Sequence, residues 1–114
     1  MAYVDGFLIP VPTARKDDYK AFAEKWTAYF KDLGALSWYE CWADDVPKGE
    51  VTDFHRAVAL NDDETVVFSW MVWPDKDTRN TAWGRMMEEE TPDDMPFDGK
   101  RMIFGGFTPI VVSE

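Results

Sequence analysis

Residues 65–73 read Thr65-Val66-Val67-Phe68-Ser69-Trp70-Met71-Val72-Trp73, and Pro74 stops them. An almost unbroken run of β-branched and aromatic residues makes this the strongest strand signal in the chain. Successive side chains on a strand point to opposite faces. Val66, Phe68, Trp70 and Val72 therefore share one face, and Val67, Met71 and Trp73 share the other. A sheet with one wet face alternates apolar and polar residues, and this strand does not, so it belongs to a sheet covered on both sides.

Beyond Pro74, Asp75 is placed to cap a helix over about 76–90. Its inner face would carry Arg79, Ala82, Trp83, Met86 and Met87. Glu88, Glu89 and Glu90 oppose the dipole at its end, which should fray. Residues 91–94 look like the start of a short turn. Asp98-Gly99 then leads into a last strand over about 101–112, where Gly105-Gly106 marks a bulge or a close backbone approach.

Before the deciding strand, residues 61–64 form a turn and 44–52 a polar loop. Residues 54–60 suit either a short helix capped by Thr52 or Asp53, or a strand alternating through Phe54, Val58 and Leu60; the helical turn is favoured. Residues 35–43 read as an aromatic strand. Tyr19, Phe22, Ala23, Trp26, Phe30 and Leu33 recur at helical spacing, predicting a helix capped by Thr13 and ended at Gly34. Residues 3–11 form a first strand, limited by Pro10 and Pro12.

The order is strand, helix, strand, strand, helix, strand. Split βαβ units of this kind give an α+β, ferredoxin-like βαββαβ domain: a four-stranded antiparallel sheet with two helices on one face. The fourth strand falls at an edge, which tolerates Pro109. A chain of 114 residues fits one such domain, 1–114. Two helices leave the second face uncovered, and an apolar patch of that size exceeds the roughly 300–600 Å² usual on a monomer. A second copy is the simplest cover, because two-fold symmetry lets one patch meet itself, so a homodimer is expected.

The formal net charge is −10, which repels phosphate backbones and anionic membrane surfaces. Basic residues are scattered, clustering only at Arg15-Lys16 and Lys100-Arg101, so no nucleic acid partner is expected. No apolar run approaches the ~20 residues of a membrane span, and the N-terminus has no leader character. Cys41 is the single cysteine, which excludes an internal disulfide and a zinc site built on thiolates; the cytoplasm is the expected compartment. With one histidine and one cysteine, no metal site and no cofactor are expected.

Asp5 falls among Tyr3, Phe7 and Ile9 on one strand face, where a carboxylate must be paired, protonated or near the strand end. An ion pair, with Arg101 as a candidate partner, outweighs an acid–base role. Glu40 between Trp38 and Trp42 follows the same logic. His55 is the sole imidazole and a weak candidate base, since a lone histidine in a loop is more often exposed or capping. Ser69 either hydrogen-bonds a ligand in a cavity or satisfies its hydroxyl on the backbone, and no Gly-x-Ser-x-Gly surrounds it. Cys41 reads as buried and inert. Arg56 and Arg101 suit an anion or an internal salt bridge. Six tryptophans and six methionines are the one compositional lean towards a ligand. Trp26, Trp70, Trp83, Met86 and Met87 either line a pocket for a flat organic molecule or simply fill the core, the second being favoured.

The segments Tyr3-Val4-Asp5-Gly6-Phe7, Cys41-Trp42-Ala43-Asp44-Asp45-Val46-Pro47, Glu64-Thr65-Val66-Val67-Phe68-Ser69-Trp70 and the long block from Met95-Pro96-Phe97-Asp98-Gly99 to Lys100-Arg101-Met102-Ile103-Phe104-Gly105-Gly106-Phe107 resemble the YbaA-like family of small bacterial proteins, a domain of unknown function. The likeness runs through nearly the whole chain and departs around residues 88–94, where this sequence looks shorter. It implies the dimeric α/β-barrel superfamily, in which two such sheets pack face to face. It supplies no function, because the fold hosts cofactor-free monooxygenases, ring-cleaving and isomerising enzymes, haem proteins and stress-responsive barrels, and no catalytic residue transfers.

Two functions stay open. One is a binder of, or cofactor-free enzyme on, a small apolar or aromatic molecule, with Asp5, Glu40, Ser69, Trp70 and Arg101 lining a cavity of roughly 300 Å³ or more between sheet and helices. The other is a non-enzymatic homodimeric protein-interaction module with no cavity.

Overall fold

The computed structural model describes residues 1–90 and 94–114. Strand β1 (Tyr3–Pro12) is followed by a 3₁₀ turn (Thr13–Arg15) and helix α1 (Lys16–Asp32). Strand β2 (Ser37–Trp42), the short helix α2 (Phe54–Ala57) and strand β3 (Glu64–Trp73) come next, then helix α3 (Lys76–Met86) and strand β4 (Ile103–Phe107). The sheet order is β2-β3-β1-β4, antiparallel throughout, which is the ferredoxin-like order. The residues 54–60 resolve in favour of the helical turn, with Asp53 capping it through a 2.7 Å bond from Arg56 N–H.

The register sorts every strand residue onto a face. Tyr3, Asp5, Phe7, Ile9 and Val11 of β1 lie beside Val67, Ser69, Met71 and Trp73 of β3, all buried under the helices. Trp38, Glu40 and Trp42 extend that face onto β2. Phe30 of α1 is the central plug, with its ring 5.0 Å from Trp83, 5.5 Å from Trp38 and 6.0 Å from Trp73. Burying such rings contributes about 1.5–3 kcal/mol each, which fixes the helices on this side.

The other face carries Val4, Leu8, Phe68, Trp70, Tyr39, Ile103 and Phe107, and among the described residues no helix is laid across it. Phe54 of α2 covers only one corner, against Phe68.

Several boundaries differ from the sequence reading. Thr13 does not cap α1; its hydroxyl bonds that of Thr65 at 2.7 Å, tying the end of β1 to β3. The helix does end at Gly34, whose φ is 114°. The N–H of Gly34 reaches Lys31 C=O and that of Ala35 reaches Phe30 C=O, the paired bonds of a Schellman turn. Helix α3 stops at Met86, so Met87 is exposed rather than on the inner face. Asp75 caps its start through Thr78 N–H. Strand β4 ends at Phe107, not near 112, so Pro109 lies beyond the ladder. The expected turn at 91–94 falls largely outside the described residues.

Candidate functional site

Between sheet and helices lies a cavity of about 210 Å³ with an almost wholly apolar wall. Phe7 rises from β1, Phe22 and Trp26 descend from α1, Trp83 and Met86 come from α3, and Phe97 crosses from the segment before β4. The helical spacing of α1 and the alternation of β1 point these rings at one another. Two polar side chains break the wall, Glu40 and Ser69, which are cross-strand neighbours on β2 and β3. An outer recess of about 350 Å³ lies at the β2 edge beneath α1, and shares Tyr19, Ala23, Trp38 and Glu40 with the inner chamber.

Glu40 therefore stands at the partition. Tyr19 donates its hydroxyl to Glu40 Oε1 and Trp38 donates its indole N–H to Oε2, both at 2.5 Å. Burial raises the Glu40 carboxyl above its ordinary range, and the hydrogen bonds from Tyr19 and Trp38 pull the other way. Burial and the adjacent carboxylate push the Tyr19 phenol up, so it remains a donor. Ser69 is fully buried, and its Oγ makes no hydrogen bond of normal geometry among the described residues. It lies near enough to Glu40 to favour the ionised carboxylate. A buried hydroxyl without a well-formed hydrogen bond is costly, by up to about 1–3 kcal/mol, and native interiors rarely keep one without a use.

Asp5 is placed differently. Its carboxylate receives the indole N–H of Trp73 and of Trp83, each at 2.9 Å, and the guanidinium fork of Arg79 at 2.8 and 3.1 Å. Those four donors saturate it. Such a carboxylate has no lone pair left for a substrate, and it clamps α3 to β1 and β3.

The family model for "Protein of unknown function (DUF1428)" matches residues 2–99. The "Uncharacterized protein YbaA" of Escherichia coli K12 is 50% identical over 115 residues, covering 97% of this chain and 98% of that protein, and the same holds for YbaA of Shigella flexneri. The chain belongs to this family. Among solved structures, the de novo designed protein Foldit4 superposes with a TM-score of 0.53 at 15% identity, over 96% of this chain and 99% of that one, a likeness of fold alone.

In this DUF1428 chain the sequence-based candidates separate. Glu40 and Ser69 meet in the chamber. Trp70 lies on the opposite sheet face, stacked on Tyr39 at 4.8 Å, because its position in β3 alternates with Ser69. Arg101 sits far along β1 from Asp5, with its guanidinium on Glu64 at 2.6 Å, Asp98 at 2.8 Å and the carbonyl of Ala59. The Asp5 partner is thus Arg79, which α3 delivers from the helical side. His55 lies on α2 in a separate polar bowl, 3.8 Å from Asp53. Cys41 is half-buried on the open face of β2 rather than buried. Trp26, Trp83 and Met86 line the chamber, whereas Met87 does not.

The residues that sequence reasoning missed are Tyr19 and Trp38, the donors to Glu40. Trp38 was two positions from Glu40 on a strand, a spacing that puts both on one face. Tyr19 was legible only as a member of the α1 stripe. Among the described residues no three His, Cys, Asp or Glu side chains gather as a metal site, and no helix is long and apolar enough to cross a membrane.

Proposed function

We propose that the chamber binds a small, mainly apolar ring compound that presents one polar atom to Ser69 and Glu40. The observation that carries this reading is the Ser69 hydroxyl, fully buried and without a hydrogen bond of normal geometry among the described residues, beside the Glu40 carboxyl whose proton affinity burial has raised. A carboxyl whose proton affinity is raised is a stronger proton acceptor than an ordinary carboxylate, and the chemistry it supports is proton transfer without a cofactor. Glu40 would take a proton from an acidic carbon of the bound molecule and return it at another atom, a balanced isomerisation. At about 210 Å³ the chamber is below the roughly 300 Å³ where ligand sites commonly begin, so it suits one substituted ring rather than a fused polycycle.

The test is a titration with 4-methylphenol and with toluene, read by the fluorescence of the lining tryptophans. The phenol is expected to bind, and Ser69→Ala to weaken it by about tenfold while toluene is unaffected. A protein blind to both probes ends the reading.

A second reading rests on the open sheet face. Tyr39, Phe68, Ile103 and Phe107 stay exposed there, and a second copy of the chain covers them most simply. Sedimentation giving twice the chain mass supports this homodimer; a monomer at micromolar concentration contradicts it. A single, half-buried cysteine suits the reducing cytoplasm, where we place the protein.

A further inference from the structure

Two glycines on the open face are not explained by the protomer. Gly6 and Gly105 are direct cross-strand partners on β1 and β4. Neither has positive φ; among the described glycines only Gly34 does. A Cβ at Gly6 would come no nearer than 3.7 Å to Phe107, and one at Gly105 no nearer than 3.5 Å, both ordinary contacts. The next residue is a control, since a Cβ at Gly106 would run into the hydroxyl and ring of Tyr3. Gly106 is required within the chain, whereas at Gly6 and Gly105 a Cβ would meet only the Phe107 ring at ordinary contact distance, so the protomer does not require glycine at either.

Together they leave a notch in the open face. It is a depression of about 440 Å³ walled by Leu8, Phe54, Phe68, Ile103 and Phe107. The chain also supplies an apolar segment with nowhere to go. Past β4, residues 108–114 form no helix or strand, and Ile110, Val111 and Val112 are 95%, 82% and 64% exposed. The tail does not enter its own notch, for Ile110 is the most exposed of the three. Extended at about 3.3 Å per residue, it reaches roughly 20 Å from Phe107.

We infer that the Gly6–Gly105 notch of one protomer receives Ile110, Val111 and Val112 of a second copy. This rests on the homodimer reading and names the contact that locks it. Two-fold symmetry offers two notches to two tails, so both surfaces are covered at once.

Sedimentation equilibrium of the 114-residue chain tests it, with Gly105→Val filling the notch and Ile110→Ser/Val111→Ser/Val112→Ser removing the plug. Each is expected to weaken the dimer about 10- to 100-fold, and the combination no more than the larger of the two, because both remove one contact. Gly105→Ala is the milder variant should Gly105→Val not fold, as circular dichroism will show. An unchanged dimer in the notch variant or in the tail variant overturns the inference while leaving the homodimer standing. Additive losses overturn the pairing of tail with notch. A monomeric wild-type protein overturns both readings together.

Discussion

The phenol of Tyr19 donates a 2.5 Å hydrogen bond to Glu40, joining the first turn of α1 to the edge strand β2. The contact places the Glu40 carboxyl of the chamber under a helix rather than in the water beside β2. Loss of water raises its affinity for a proton, and the phenol and the Trp38 indole restore only part of what hydration supplied.

Glu40→Gln is expected to stabilise the protein at neutral pH and to flatten one arm of its pH profile. A carboxyl with a raised folded-state pKa binds more protons in the native than in the unfolded state within that window. Its contribution is therefore full below the ordinary value near 4.5 and declines as pH rises through the folded-state value. Glutamine can accept from Trp38 through its carbonyl and donate to the Tyr19 oxygen through its amide. A gain on the order of 1 kcal/mol at neutral pH, vanishing in acid, is expected from urea unfolding. The Glu64 carboxyl is held low by Arg101, so its contribution is present above 4.5 and lost on acidification, which gives the wild-type profile an opposing acid limb. A variant with the wild-type slope above pH 5 would show that Glu40 is not the titrating group.

Asp5→Ala is expected to cost about 3–5 kcal/mol, because it strands the Arg79 guanidinium and two indole N–H groups under the helices. Trp83→Phe removes one of those bonds and retains an aromatic ring against Phe30, so its cost should be smaller, about 1.5–3 kcal/mol. Denaturant midpoints order the two. Equal losses would mean that α3 is held by packing and not by this carboxylate.

Much of the fold was legible because its signals are periodic. The stripe from Tyr19 to Leu33 and the doubly apolar strand ending at Trp73 each gave an element, and the element order gave the sheet. The chamber was half legible. Alternation placed Ser69 and Glu40 each on a face, but which strands are neighbours, and in what register, is a tertiary fact. Arg79 shows the limit most clearly. It was assigned to the inner face of its helix, yet pairing it with Asp5 needed the crossover of α3 over β1, across 74 positions. Arg101 was the nearer guess in chemistry and lies at the wrong end of the strand. Trp70, a cavity candidate with Ser69 by sequence, lies on the opposite face from it, because adjacent strand residues point apart.

Gly34→Ala and Gly84→Ala are expected to move stability in opposite directions. Gly34 closes α1 at φ 114°, a conformation that L side chains rarely adopt, and an added Cβ would lie 2.7 Å from Thr78 Cγ2 at the start of α3. Both effects penalise alanine, by about 1–3 kcal/mol in sum. Gly84 is inside α3, and among the described residues nothing lies within 4 Å of the same added atom. Alanine there removes the entropy that glycine loses on folding and meets no neighbour, a gain of about 0.5–1 kcal/mol. The pair separates backbone conformation from side-chain packing, since neither position lines the chamber or the Asp5 cluster. Thermal unfolding should show a lower midpoint for Gly34→Ala and a higher one for Gly84→Ala. A destabilised Gly84→Ala would mean that this face of α3 is covered by something outside the protomer.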